Sequence, residues 1–211
     1  MASIKNIVLD FGHGGIDKSG KYTTAPNKMF KFPNGEIAYE GFLNRQIGGL
    51  TEIYLRSNHP NFNIVTTVKA IDPRDLSLSY RVKVANQLPP LETIFISIHC
   101  NASKHHNASG FEIFTTKGVT KSDALATSIG NRIKPFYDKL NLKLRFDFDS
   151  DGDLDKEVDY YVLRKTKCPA VLLECLFFDF YQDFILLKNP EFQKELAWHI
   201  YQGILNFLIQ N

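Results

Sequence analysis

Cysteine is scarce in this chain: Cys100, Cys168 and Cys175 are the only three in 211 residues. An odd number with no CxxC spacing speaks against both a disulfide framework and a cysteine zinc site, leaving reduced, buried thiols. Charge of one sign is scarce as well. With 25 Lys and Arg against 23 Asp and Glu, the formal net charge is +2 and no basic block stands out. Nucleic acid is therefore not expected as a partner. No apolar run approaches the roughly 18 residues needed to span a bilayer, so membrane insertion is not expected either. The opening MASIKNIVLD lacks an apolar leader core and a small-residue cleavage site. That predicts synthesis without a signal peptide, as a soluble cytoplasmic product. Repeats and low-complexity linkers are also missing. The 44% hydrophobic and 23% charged content suits one globular domain over residues 1–211.

The remaining pattern alternates strand and helix. KNIVLDF, NFNIVTTVK, ETIFISIH, GFEIFTT, EVDYYVLR and PAVLLECLFF read as strands. FLNRQIGGLTEIYLRSN, Asp75 to Leu88, SDALATSIGNRIKPFYDKL with a Ser or Asp N-cap, and PEFQKELAWHIYQGILNFLIQN read as helices. Such alternation predicts an α/β domain with a largely parallel sheet. Two long irregular stretches, Asp17 to Tyr39 and Leu142 to Val158, are of the length that usually carries function or disorder.

Chemistry concentrates where strands end. IVLDFGHGG carries an apolar strand into a turn in which His13 lies between glycines. The glycines either permit a tight turn that the histidine decorates, or clear space for an imidazole that reaches a metal. SIHCN repeats the design at His99, and ends of parallel strands converge on the edge where α/β folds place ligands. A divalent metal wants a third protein ligand, and Glu40 and Glu36 compete for that place. Glu174 is the sole charge in PAVLLECLFF. A carboxylate there is costly unless it sits by a metal or pairs with a cation such as Arg164.

Together these segments resemble the zinc-dependent N-acetylmuramoyl-L-alanine amidases of the amidase-3 family, found in bacterial autolysins and phage endolysins. DFGHGG is similar to the family's first metal motif, with Phe11 at a usual proline. Glu40-Gly-Phe-Leu-Asn44 matches its E-x-x-x-N helix start and selects Glu40 over Glu36. SIHCNAS matches the second histidine motif, while Arg81 with Ala85-Asn86 and Gly110-Phe111-Glu112 match accessory positions. YYVLRKTKCPAVLLECLFF resembles the closing segment, with Leu176 at a usual glycine. The resemblance runs from Ile7 to about Phe207.

That resemblance implies a twisted, mainly parallel six-stranded sheet flanked by helices, of the phosphorylase/hydrolase-like kind. It implies one Zn²⁺ held by His13, Glu40 and His99, with Glu174 as general base, and peptidoglycan as the partner. The bond cut would be the amide between the muramic acid lactyl group and L-Ala. Asn101, Arg81 and Arg164 are candidates for orienting ligands or substrate. A monomer acting on the cell wall or periplasm after release, as endolysins do, is the corresponding expectation. A zinc peptidase or carboxypeptidase acting on the stem peptide, and a non-catalytic wall-binding module, are the competing readings.

One motif departs from the family. DFDSDGDLDKEVD places Asp147, Asp149, Asp151 and Asp155 at positions one, three, five and nine of a loop with Gly152 at six. That spacing resembles a calcium-binding EF-hand loop, yet Val158 stands where the closing bidentate Glu belongs. A Ca²⁺ site and a solvated acidic loop both fit.

Overall fold

The computed structural model describes residues 3–24, 26–147 and 152–210. Within them the strands are Asn6–Phe11 (β1), Met29–Lys31 (β2), Ile37–Tyr39 (β3), Asn63–Thr66 (β4), Thr93–Asn101 (β5), Glu112–Thr115 (β6), Lys156–Glu157 (β7) and Ala170–Phe177 (β8). The helices are Glu40–Asn58 (α1), Leu78–Asn86 (α2), Lys121–Lys139 (α3), Tyr161–Lys165 (α4), Tyr181–Leu187 (α5) and Pro190–Gln210 (α6). Six strands form one sheet in the order β4-β1-β5-β8-β6-β7, and β2 with β3 forms a separate hairpin. β1 runs parallel to β4 and β5, and β5 parallel to β8. The direction reverses once, between β8 and β6. The expected mainly parallel six-stranded sheet between helices is what the chain forms.

Strand alternation decides what meets which layer. Ile7, Leu9 and Phe11 of β1, Ile94, Ile96 and Ile98 of β5, and Val171 and Leu173 of β8 enter the larger core, over which α1, α3 and α6 pack. Val8, Phe95, Ala170 and Leu172 face the other way, into a smaller core with Val82 and Ala85 of α2 and Val162 and Leu163 of α4. Both faces of the central strands are covered, so their sequences read as continuous apolar runs. With a period of two, the positions that continue the second face are Asp10, then Ser97 and His99, then Glu174. The chemistry of the chain thus projects from one face, at the edge where the parallel strands end.

Several elements differ from the sequence reading. EVDYYVLR is not a strand: only Lys156–Glu157 pairs with β6, and Tyr161–Lys165 makes a helical turn. Consecutive Val162 and Leu163 are both buried against one core, which a helical turn permits and an alternating strand does not. α2 begins at Leu78 and not at Asp75, because the Ser77 side chain accepts from the backbone N–H of Tyr80 and caps it. α3 is capped by Thr120, in a capping box with Asp123, and not by Ser122 or Asp123. Pro135 stays within that helix. The hairpin and α5 were not anticipated. Glu36 ties the two together, accepting hydrogen bonds from Tyr181 and Lys188.

Candidate metal centre and cleft

The turn after β1 places His13 at φ 61°, a left-handed conformation that residues other than glycine seldom adopt. Two arginines hold it there. Arg81 donates from Nη1 to Asp10 Oδ1 and to the Phe11 carbonyl, both at 2.7 Å, and from Nη2 to the His13 carbonyl at 3.1 Å. Arg45 donates from Nη1 to the carbonyls of Gly14 and Gly41, at 2.9 and 3.0 Å. Asp10 also accepts from Thr67 and Ser97. Burial raises the Asp10 pKa, but Arg81 and these bonds outweigh it and hold the carboxyl below its usual range.

Glycine is needed where chains cross. A Cβ at Gly12 would lie 2.1 Å from the His99 ring, and one at Gly41 would lie 1.9 Å from the Gly14 carbonyl oxygen. These two contacts let His13, His99 and the start of α1 close on one point.

Glu40, the first residue of α1, is 1% exposed. Its Oε1 accepts from His99 Nδ1 at 2.9 Å and lies 3.2 Å from His13 Nε2. The two imidazoles meet edge to face with centroids 4.9 Å apart. Asn44, one turn along α1, donates to the Gly12 carbonyl at 3.2 Å and reaches Glu40 Oε1 at 3.5 Å. The Lys28 ammonium lies 3.3 Å from Glu40 Oε2. Burial alone would raise the Glu40 pKa, but the bonds and charges of His13 and His99 hold it well below the carboxylate range. Burial lowers the His13 pKa more than Glu40 restores it, which favours the neutral imidazole.

These groups fit a divalent metal. One donor atom from each of His13, Glu40 and His99 lies within 4.8 Å of the other two, and no other such group occurs among the described residues. His13 Nε2 and Glu40 Oε2 are buried without a hydrogen-bond partner. A buried imidazole nitrogen without a hydrogen bond, near a carboxylate whose Oε2 has only the Lys28 ammonium at 3.3 Å, is a donor set that a cation would complete.

Glu174 stands beside them on β8, at the register position of His99. Its Oε2 is buried without a hydrogen-bond partner. Burial, and then the Glu40 charge, push its pKa well above the ordinary range, while Lys28 pulls the other way. His13, His99, Glu174, Lys28, Tyr160 and Tyr161 line a cleft of about 650 Å³ over this centre.

The other anticipated residues divide. Arg81 is buried and steadies the His13 turn from behind. Asn101 donates to Glu112 and not to a ligand, because the β5–β8 register shifts between His99 and Asn101. Arg164 is not the partner of Glu174. It pairs with Asp159 at 2.6 Å. Glu36 belongs to the hairpin's tether. In the acidic run, Asp155 is buried and accepts from the Thr115 hydroxyl, and Val158 N–H donates to the Thr115 carbonyl. Asp147 is half-buried, and Asp149 and Asp151 lie outside the described residues. All three cysteines are buried free thiols.

Sequence reasoning missed Arg45, Lys28 and the tyrosine wall. Arg45 directly follows the E-x-x-x-N motif, which was its available signal. Lys28 lies in an irregular stretch without periodicity, and Tyr160 and Tyr161 were assigned to a strand.

Comparison with known proteins places this arrangement. The sequence profile of the family described as N-acetylmuramoyl-L-alanine amidase matches residues 7–206. The chain belongs to that family. An uncharacterized cell wall amidase of Bacillus anthracis is 30% identical over 213 residues, covering 96% of this chain and 35% of the relative. The endolysin of Bacillus phage SPP1 is 32% identical over 116 residues, 54% of this chain and 40% of the endolysin. This chain therefore spans well under half the length of those two relatives. The crystal structure of an N-acetylmuramoyl-L-alanine amidase from Clostridium difficile 630 superposes with a TM-score of 0.74 at 27% identity, covering both chains completely.

Proposed function

We propose that this chain is a zinc-dependent N-acetylmuramoyl-L-alanine amidase, hydrolysing the amide between the lactyl group of N-acetylmuramic acid and L-Ala of the peptidoglycan stem. The carrying observation is the convergence of His13, Glu40 and His99 beside the unpartnered Oε2 of Glu174. His13, Glu40 and His99 would hold the ion, which when bound acidifies a water and polarises the scissile carbonyl. Glu174 takes the proton of the attacking water through Oε2 and passes it to the amine of L-Ala as that amine leaves. Arg81 and Arg45 keep the His13 turn fixed while this happens. Tyr160 and Tyr161 shield one wall of the cleft.

All four groups belong to one continuous fold, which supports a single catalytic domain over residues 1–211. The phage endolysin among the relatives supports action on the cell wall. No helix among the described residues is long and apolar enough to cross a membrane.

Purified protein loaded with zinc and given isolated cell walls tests the reading. New L-Ala amino termini and free lactyl carboxylates are expected, without new termini inside the stem. Cleavage within the stem peptide would assign a peptidase instead, and binding without any cleavage would assign a wall-binding module.

A further inference from the structure

Beyond Glu174 the structure gathers charge that hydrolysis does not use. Glu112 faces Glu174 across the β6–β8 pairing and is 4% exposed. Arg145 Nε donates to Glu112 Oε1 at 2.9 Å and Lys156 Nζ to the same oxygen at 2.6 Å. Asn101 Nδ2 donates to the other oxygen, Oε2. Two cations thus share one carboxylate, at the cross-strand neighbour of Glu174. Both cations flank the acidic run, Arg145 just before it and Lys156 at its close, where β7 pairs with β6.

Arg145 is held in a particular way. Its backbone N–H donates to the Phe111 carbonyl at 2.9 Å. Its guanidinium lies over the Phe177 ring, 5.4 Å from the centroid. The Nε bond and the stacked ring fix the plane of the guanidinium, while its side chain remains 39% exposed. Among the described residues neither Nη nitrogen has a hydrogen-bond partner. A fixed guanidinium whose fork is open among the described residues is the donor geometry that matches a carboxylate through two parallel bonds.

The position fits the length of the proposed substrate. Phe177 lies three residues past Glu174 on β8, matched by only two residues of β5, so it sits roughly 7 Å further along the sheet. An extended peptide advances roughly 3.3–3.6 Å per residue, so the α-carboxyl of the residue after L-Ala comes within reach of a long arginine side chain. We propose that Arg145, steadied by Glu112 and Phe177 and flanked by Lys156, is a subsite for a free carboxylate on the second residue of the stem peptide. The inference rests on the amidase reading of the same cleft.

Two muramyl tripeptides that differ only at that α-carboxyl test it, N-acetylmuramoyl-L-Ala-γ-D-Glu-L-Lys and its D-isoglutamine counterpart, in both of which the γ-carboxyl is tied up in the bond to the third residue. Zinc-loaded protein is expected to favour the carboxylate in kcat/KM by about 10-fold or more, carried by KM, as befits a charge-assisted pair. Arg145→Gln brings the ratio close to one, and Arg145→Lys, which keeps the charge without the fork, gives an intermediate ratio. Because each ratio compares two substrates on one protein, a general loss of fold or turnover does not move it. A wild-type ratio near one, or a ratio unchanged in both variants, overturns the subsite while leaving the amidase intact. Titration calorimetry with the tripeptide L-Ala-γ-D-Glu-L-Lys covers the remaining case. Binding that Arg145→Gln weakens about 10-fold, in a protein that cleaves neither substrate, keeps the subsite and overturns the amidase. No binding and no cleavage overturns both.

Discussion

Arg81 and His13 are joined by a hydrogen bond from Nη2 to the carbonyl oxygen at 3.1 Å, and the same guanidinium forms the buried ion pair with Asp10. A metal-ligand candidate in a seldom-adopted backbone conformation is therefore fastened to an ion pair that is 2% and 1% exposed. Strain at a functional turn persists only where surrounding contacts over-determine it. Here Arg81 works from one side and Arg45 from the other.

That latch has a measurable strength. Arg81→Ala leaves the Asp10 carboxylate buried and unpaired, so stability should fall by about 3–5 kcal/mol, read as a lower urea midpoint. Because the Asp10 pKa lies below its unfolded value, its contribution is complete above the ordinary aspartate range and is lost as pH falls through the folded value. Wild-type protein should lose stability as pH drops below about 4. Asp10→Asn should be less stable at neutral pH and should show a flatter acid limb. An identical acid limb in the two proteins would remove Asp10 from this role.

Metal content tests the ligand set directly. One zinc per chain is expected in the wild type. His13→Ala and His99→Ala should each lose most of it by elemental analysis, since two remaining ligands make a poor site. Full occupancy in both variants would place the metal elsewhere.

Glu174→Gln separates chemistry from assembly. The amide cannot accept the water proton, so turnover should fall at least about 10²-fold while zinc content and melting temperature hold. A variant that still clears cell walls at near wild-type rate would move the base to another group.

The calcium reading of the acidic run is a proposal with its own readout. Hard oxygen ligands separate Ca²⁺ from the softer histidine centre. Calcium binding would raise the melting temperature of zinc-loaded protein, and Asp147→Ala combined with Asp149→Ala would abolish the rise. A melting curve unmoved by millimolar calcium, with no heat on titration, assigns the run to a solvated loop.

The central sheet was legible because β1, β5 and β8 are covered on both faces and therefore write themselves as apolar runs. His13, His99 and Glu174 were legible because each breaks such a run, or ends it, with a group that apolar surroundings disfavour. Glu40 needed the E-x-x-x-N resemblance, since an acid at a helix start is otherwise commonplace. The tyrosine segment was misread because apolar and aromatic residues over a few positions suit a strand and a helical turn equally. Arg145 and Lys156 gave no local signal. Their common partner, Glu112, is more than 30 positions from either and is reached only through the pairing of β6 with its neighbours.

Strand order carries a further consequence, one of timing. β1 comes first in the chain but lies inside the sheet, between β4 and β5, and β8 is the last strand made. During synthesis the His13, Glu40 and His99 segments all leave the ribosome well before Glu174 does. A nascent chain can thus gather its three candidate ligands while Glu174, the proposed base, is still unmade. The same order sets what an incomplete sheet can hold: a chain in which only β4, β1 and β5 have paired carries His13, Glu40 and His99 but not Glu174, and β6 and β7 have no place to dock until β8 arrives.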